Sequence, residues 1–293
     1  MKTDVSIVIP ALNEATHIRN CLDSILRQRT DLIYDVLVID SGSTDGTRDI
    51  VSQYSNVKLV CIDPEDFGHG KTRNFGASLT AGTFIVFLNA DAVPASTNWL
   101  DSLIQGFEGD DSLAGVFSRH LPRDGCSLFM ERDIRSSMPE QGKDISRFDP
   151  NAPLLFSTVS CAIPRVVWQD HPFDDHILIA EDQDWAKRVL EGHLRIVYQP
   201  DSTVYHSHNY RFRELYSIKV QVGYSLKRFK SRYLNIVPGF FLAAGGFLVK
   251  FAGDTVYILS RRLPLRVKAK ELWVSLGSRI ASFTGRYIGW IKS

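Results

Sequence analysis

Cysteine is scarce in this chain: Cys21, Cys61, Cys126 and Cys161 lie far apart, and no C-x-x-C pair occurs. That spacing excludes a zinc ribbon or a dithiol redox motif and predicts buried free thiols in a reducing compartment. Two nucleotide-binding signatures are missing as well. No G-x-G-x-x-G comes after the first apolar run and no G-x-x-x-x-G-K-[ST] occurs anywhere, which argues against a nicotinamide dehydrogenase and a P-loop phosphotransferase. There is no internal repeat, and "MKTDVSIVIPALNE" passes directly into a strand-like run, so no signal peptide is expected. The uninterrupted apolar stretch 236–249 is too short to span a bilayer, and Lys250 and Asp254 break the apolar run on its C-terminal side. Acidic residues are nearly absent from one region: residues 211–293 hold 3 Asp+Glu against 16 Lys+Arg, whereas residues 1–210 hold 30 against 18. The formal net charge of +1 therefore conceals an acidic body and a basic tail suited to an anionic surface.

The residues that are present read as an ordinary globular core, with 44% hydrophobic and 23% charged residues. "DVSIVIP", "YDVLVID", "NVKLVCI" and "TFIVFLNAD" are short Val- and Ile-rich runs of the kind that form strands buried on both faces. Helical stretches separate them. "NEATHIRNCLDSILRQ" places Ile18, Cys21, Leu22, Ile25 and Leu26 on one face; "STDGTRDIVSQY" offers Ser43 and Thr44 as N-caps; "GKTRNFGASLTAG" offers Gly82 as a C-cap. The alternation predicts an open α/β sheet, in which ligands bind beyond the carboxyl ends of the strands. It breaks down over residues 115–170, where a helical piece near 126–134 and the strand-like "PLLFSTVSCAIPRVVW" are expected. "EDQDWAKRVLEG" then reads as a helix stopped by Gly192, and "LRIVYQPDSTVYHSHNY" as a late strand with a histidine-bearing loop. Residues 211–233 predict a basic amphipathic helix. An interfacial membrane helix, a self-association surface and a plain core helix all remain open for the tail.

Polar residues gather at the predicted strand ends. Strand one releases the chain at Pro10-Ala11-Leu12-Asn13-Glu14, strand two at Asp40-Ser41-Gly42-Ser43-Thr44-Asp45, and strand four at Asn89-Ala90-Asp91. Any one cluster is accounted for by turn chemistry, but three on one sheet edge point to a ligand. In an extended chain Asn89 and Asp91 would project together from that edge. A carboxylate there suits a hard divalent cation, and "VYHSHNY" adds His206 and His208, although a histidine pair in a loop is often merely solvated. "IAEDQDW" supplies a second carboxylate pair, Glu181 and Asp182, which fits helix capping or a general base.

Taken together, "VSIVIPALNE…VLVIDSGSTDGTRDIV…GKTRNFGASLTAGTFIVFLNADAVP" and "IAEDQDWAKRVLEGHLRIVYQPDSTVYHSHNY" resemble the family 2 glycosyltransferases of the GT-A fold. "FGHGKTRN", "EDQDWAKRV" and "VYHSHNY" resemble bacterial rhamnosyltransferase-like members in particular. The resemblance spans about residues 4–230. It implies a GT-A domain over 1–210, with a nucleotide-sugar half (1–114) and an acceptor half (115–210), followed by a basic helical extension over 211–293. It further implies an inverting transfer from a UDP- or dTDP-linked sugar to a glycan or lipid-linked acceptor. Pro10, Asn13 and Glu14 would lie under the nucleotide, Asp40 would bond the pyrimidine, Ser43 and Asp45 would shape that turn, and Arg73 would sit near base or phosphates. Asp91 would bind Mn2+ or Mg2+ with His206, or alternatively His208; Asp182 would be the catalytic base, held by Glu181. Asn89 stands where the family's DXD motif has its first Asp, which removes one negative charge.

The same residues admit two rival readings. A metal-dependent nucleotidyltransferase would need a glycine- and Arg/Lys-rich loop after strand one, which "PALNEATHIR" lacks. A degenerate, non-catalytic nucleotide-sugar-binding protein would be consistent with Asn89. The tail implies peripheral contact with the inner face of the cell membrane, with a homodimer as the other use of that surface and no nucleic-acid partner.

Overall fold

The computed structural model describes residues 3–110, 112–148, 156–229 and 236–292. Its contacts divide the chain into two units, one of Met1–Leu121 and Met138–His206, the other of Pro122–Ser137 and Ser207–Ser293.

The first unit carries nine strands: β1 (Val5–Ala11), β2 (Tyr34–Asp40), β3 (Val57–Cys61), β4 (Phe84–Leu88), β5 (Val93–Pro94), β6 (Leu113–Leu121), β7 (Lys143–Ile145), β8 (Ser160–Pro164) and β9 (Arg195–Tyr205). They form one sheet in the order β3-β2-β1-β4-β8-β6-β9-β5, with β7 paired to β9. β1, β2, β3 and β4 run parallel, as do β6 and β9; β8 is antiparallel to β4 and β6. Mostly parallel pairing needs crossover helices, here α1 (Ile18–Leu26), α2 (Thr47–Val51), α3 (His69–Ser78) and α4 (Trp99–Gln105). Period-two alternation sorts β1 between two cores. Val5, Ile7 and Ile9 pack with Ile18, Cys21, Leu22 and Ile25 of α1 and Trp99 of α4, while Val8 packs with Ala77 of α3, Phe87 and Trp185. This two-sided burial is why the strands read as continuous apolar runs.

Several local expectations are corrected. The N-cap of α2 is Gly46, at φ 92, rather than Ser43 or Thr44; Asp45 Oδ1 instead accepts the Thr47 N–H at 3.1 Å and its hydroxyl at 2.5 Å. α3 ends at Ser78 with Leu79 as its cap, and Gly82 lies beyond it, donating its N–H to Ser6 Oγ at 2.9 Å. "RVVWQD" is a helix, not strand, because Pro164 ends β8 and opens that turn. All four thiols are free as expected, but only Cys21 and Cys161 are buried; Cys126 is half-buried and Cys61 is exposed on the edge strand β3.

In the second unit, α5 (Leu128–Ser137), the first helix of this unit, packs with the later helices α9 (Ile236–Ser260) and α10 (Leu265–Lys292), and α10 also packs on α8 (Phe212–Phe229). In chain order α5 is followed by two helices of the first unit, α6 (Arg165–Asp170) and α7 (Glu181–Glu191). The basic helix expected over 211–233 is described over Phe212–Phe229; residues 230–235 lie outside the described residues. α8 and α10 approach backbone to backbone: a Cβ on Gly285 or Gly289 would lie 2.7 Å from Tyr216 O or 1.9 Å from Val220 O. Among the described residues, no helix is long and apolar enough to cross a membrane.

The two charges that interrupt the apolar α9 are both paired, Asp254 inside the bundle and Lys250 at its half-exposed margin. Fully buried Asp254 accepts hydrogen bonds from Arg279 Nε (2.7 Å), Arg279 Nη2 (2.9 Å), Arg132 Nη1 (2.8 Å) and Ser275 Oγ (2.7 Å). Asp133 of α5 takes Arg279 Nη1 at 2.6 Å and Lys250 Nζ at 3.1 Å. Asp254→Ala leaves Arg279 and Arg132 without their shared counter-ion inside the bundle. It should cost about 3–5 kcal/mol in chemical denaturation, with Asp254→Asn costing clearly less; a loss below about 1 kcal/mol would show that the network adds little.

Candidate active site

The site is built where β1, β2 and β4 end and α7 begins. β1 and β2 lie in register to their last residues, Ala11 opposite Asp40, so their loops leave the sheet side by side. Those loops are stitched by side chains. Asn13 N donates to Ser43 Oγ (2.8 Å), Asn13 Oδ1 accepts Thr44 N (2.9 Å), Glu14 N reaches Thr47 Oγ1 (2.8 Å) and Ala15 N reaches Asp45 Oδ2 (3.0 Å). Asn13 holds φ 55, a left-handed geometry its short amide tolerates. The hydrogen bonds from Thr47 and Ala15 keep the Asp45 carboxyl below the usual carboxylate range. Pro10 sits partly buried in β1 opposite Ile39, and Glu14 contacts His17 Nδ1 at 3.1 Å.

Asp40 is fully buried and divided in its use. Oδ1 accepts the N–H groups of Gly42 (3.1 Å) and Ser43 (2.9 Å) and faces Arg48 Nε at 3.4 Å. Oδ2 is buried with no hydrogen-bond partner. A buried carboxylate oxygen left unmatched is costly, and it marks a place for an external donor.

Beyond β4 the chain turns instead of continuing extended: Ala92 N bonds back to Asn89 O at 2.9 Å. Asn89 and Asp91 therefore separate, contrary to the extended-chain expectation. Asn89 Oδ1 accepts Arg73 Nη2 at 2.8 Å, and buried Asp91 faces His206 Nε2 at 3.5 Å. His206 comes directly after β9, its N–H bonded to Leu121 O at 2.9 Å, and its ring meets His120 edge-on at 5.4 Å. Burial pushes His120 down to about 4, so it stands beside His206 as a neutral ring. An oxygen and an imidazole nitrogen 3.5 Å apart need little adjustment to become neighbouring ligands of one ion, since bonds of about 2.1 Å at right angles put ligands about 3 Å apart. The mixed oxygen and imidazole pair could hold a divalent cation. His208 falls in the second unit, partly buried, its ring stacked on Tyr210 at 4.8 Å.

Arg73, on α3, joins the strand-four turn to α7. Its Nη1 donates to Glu181 Oε1 at 2.8 Å and to His69 O at 2.9 Å, while Nη2 serves Asn89. Arg73 and Glu181 are only 3% and 5% exposed, a buried ion pair 108 residues apart in sequence. Thr158 Oγ1 adds a contact to Glu181 at 3.3 Å. The guanidinium expected near base or phosphates is thus engaged by Glu181 and Asn89. Just before Glu181, Ala180 holds φ 70 and ψ 32, a conformation L residues rarely adopt, and it sets the direction in which Glu181 and Asp182 leave. Asp182 Oδ1 accepts the Gln183 N–H at 2.8 Å. Burial, and after it the charge of Glu181, raises the Asp182 carboxyl to about 7, with Arg73 opposing.

Thr158, His69 and His120 do not stand out in the sequence. Burial, with Arg73 adding to it and Glu181 opposing, lowers the His69 pKa, and "FGHGKTRN" was its available signal; Thr158 and His120 carry none.

Residues 6–165 match the family model described as glycosyl transferase family 2. The O-antigen chain rhamnosyltransferase RfbN of Salmonella typhimurium is 29% identical over 306 residues, covering 99% of this chain and 95% of that protein. Glycosyltransferase AglE of Haloferax volcanii is 28% identical over 303 residues, covering 96% and 94%. Among solved structures, the mannosyltransferase PcManGT from Pyrobaculum calidifontis in complex with GDP-Man and Mn2+ aligns with TM-score 0.61 at 19% identity, over 100% of this chain and 89% of that one. The structural likeness carries the GT-A fold. With the family match over more than half its length, this chain belongs to glycosyl transferase family 2 and is a glycosyltransferase.

Proposed function

We propose that this glycosyltransferase moves a sugar, rhamnose foremost, from a UDP- or dTDP-linked donor to a hydroxyl of a glycan or lipid-linked acceptor, with inversion at the anomeric carbon. RfbN is named an O-antigen chain rhamnosyltransferase, which favours this donor and a product in cell-surface polysaccharide. One observation carries the reading: the guanidinium of Arg73 holds Asn89 and Glu181 at 2.8 Å each, drawing together the loops that bear Asp91 and Asp182.

In this reading Pro10, Asn13 and Glu14 lie under the nucleotide, Ser43 and Asp45 fix the neighbouring turn, and the unmatched Asp40 Oδ2 accepts the pyrimidine N3–H. Asp91 with His206, or with His208 two residues along the chain, holds Mn2+ or Mg2+. When bound, the cation neutralises charge on the departing diphosphate. Asp182 takes the acceptor's proton as the acceptor oxygen bonds to the anomeric carbon and the bond to the diphosphate breaks. A carboxyl raised to about 7 is matched to that task, since a general base works best with a pKa near the operating pH. Glu181, pinned by Arg73 and Thr158, keeps Asp182 raised and in place. The enzyme works at the cytoplasmic face of the membrane, where the 211–293 segment makes a peripheral contact.

The base must be ionised, so kcat/KM should fall as pH drops through about 7. Asp182→Asn should lose roughly 10²–10⁴-fold in transfer, while calorimetry finds donor affinity unchanged. Near-normal turnover in that variant would remove Asp182 from the role. Asp40→Asn should weaken UDP and dTDP binding by about 1–3 kcal/mol in the same calorimeter, and unchanged affinity would send the pyrimidine elsewhere.

A further inference from the structure

α9 is inside out for a helix in water. Its Asp254 is fully buried against Arg132 and Arg279, and its other charge, the half-exposed Lys250, is paired with Asp133. From Gly245 to Leu259 every exposed position is without a polar group: Gly245, Leu248, Val249, Ala252, Val256 and Leu259 recur at three- and four-residue steps along one face. Val249 and Val256 are 72% and 70% exposed. Water-facing helices carry the reverse arrangement, whereas helices against lipid keep ionisable groups inward and paired. The stripe runs into the turn Arg261-Arg262-Leu263-Pro264-Leu265-Arg266, where Leu265 is 83% exposed between exposed Arg262 and Arg266.

We propose that the outer stripe of α9 and this turn seat on an anionic lipid bilayer. The aliphatic side chains enter the acyl boundary and Arg262 and Arg266 meet the headgroup phosphates. Charge complementarity selects this occupant. Of the six Lys+Arg in residues 244–270, Lys250 and Arg261 pair with Asp133 and Glu131; the one acidic residue of the stretch, Asp254, is fully buried, so Arg262, Arg266, Lys268 and Lys270 leave the turn a net positive charge. A second copy would bring an identical basic segment against the first, which like-charge repulsion opposes. The inference rests on the functional reading only for the direction of the membrane contact. It assigns that contact, within residues 211–293, to α9.

The test floats full-length protein with vesicles of phosphatidylcholine alone or of phosphatidylcholine with about one-third phosphatidylglycerol. Binding to the anionic vesicles should exceed binding to the neutral ones by at least roughly tenfold and fall at high salt. Val249→Asp with Val256→Asp should lose at least roughly tenfold of that binding. Arg262→Ser with Arg266→Ser should lose the preference for phosphatidylglycerol. Nucleoside diphosphate release from the donor in solution, measured on the same preparations, should be unchanged in both variants and reports separately on the transferase reading. Wild-type binding insensitive to phosphatidylglycerol, or to the two valine substitutions, overturns the proposal. A wild-type dimer that the valine substitutions make monomeric also overturns it, giving the face to a second copy.

Discussion

A single guanidinium organises the catalytic half of the molecule. Arg73 is buried, and a buried cation is tolerated only when paired and hydrogen-bonded. Glu181 supplies the charge, and Asn89 and the His69 carbonyl supply acceptors. Those partners come from the turn after β4, the first turn of α3 and the start of α7. Removing any of them leaves charge or hydrogen-bonding capacity uncompensated in the interior, so the three segments are held by the same requirement.

This explains an otherwise odd departure from the family's DXD pattern. An Asp at position 89 would place a second carboxylate on Arg73 beside Glu181, and burial and Glu181 already push Asp182 toward the protonated form. The neutral amide accepts the same hydrogen bond without adding to that repulsion. Asn89 therefore reads as part of the support for the base candidate, and Asp91, turned to His206, is the candidate carboxylate for a cation.

The parallel half of the sheet was legible because burial on both faces writes each strand as an apolar run, and the polar clusters at strand ends located the edge that matters. Other features were hidden for physical reasons. The pairing of Arg73 with Glu181 joins residues 108 apart, and neither residue signals its partner locally. Asn89 and Asp91 were expected to point together, but a turn bond to Asn89 O ended the strand before them. The helical piece expected near 126–134 carried no sign of a partner, whereas Asp133 and Arg132 of α5 anchor charges of α9 and α10. Lys250 and Asp254 looked like breaks in an apolar run; three-dimensional contacts pair them, Asp254 with Arg132 and Arg279 and Lys250 with Asp133.

The central claim is that the strand-four turn and the α7 terminus act as one unit through Arg73. A double-mutant cycle on kcat/KM, combining Asn89→Ala with Glu181→Gln, measures this directly. Linkage through the shared guanidinium predicts a coupling energy of about 1 kcal/mol or more. Effects that add to within about 0.3–0.5 kcal/mol would mean the two loops contribute independently, and the account would be wrong.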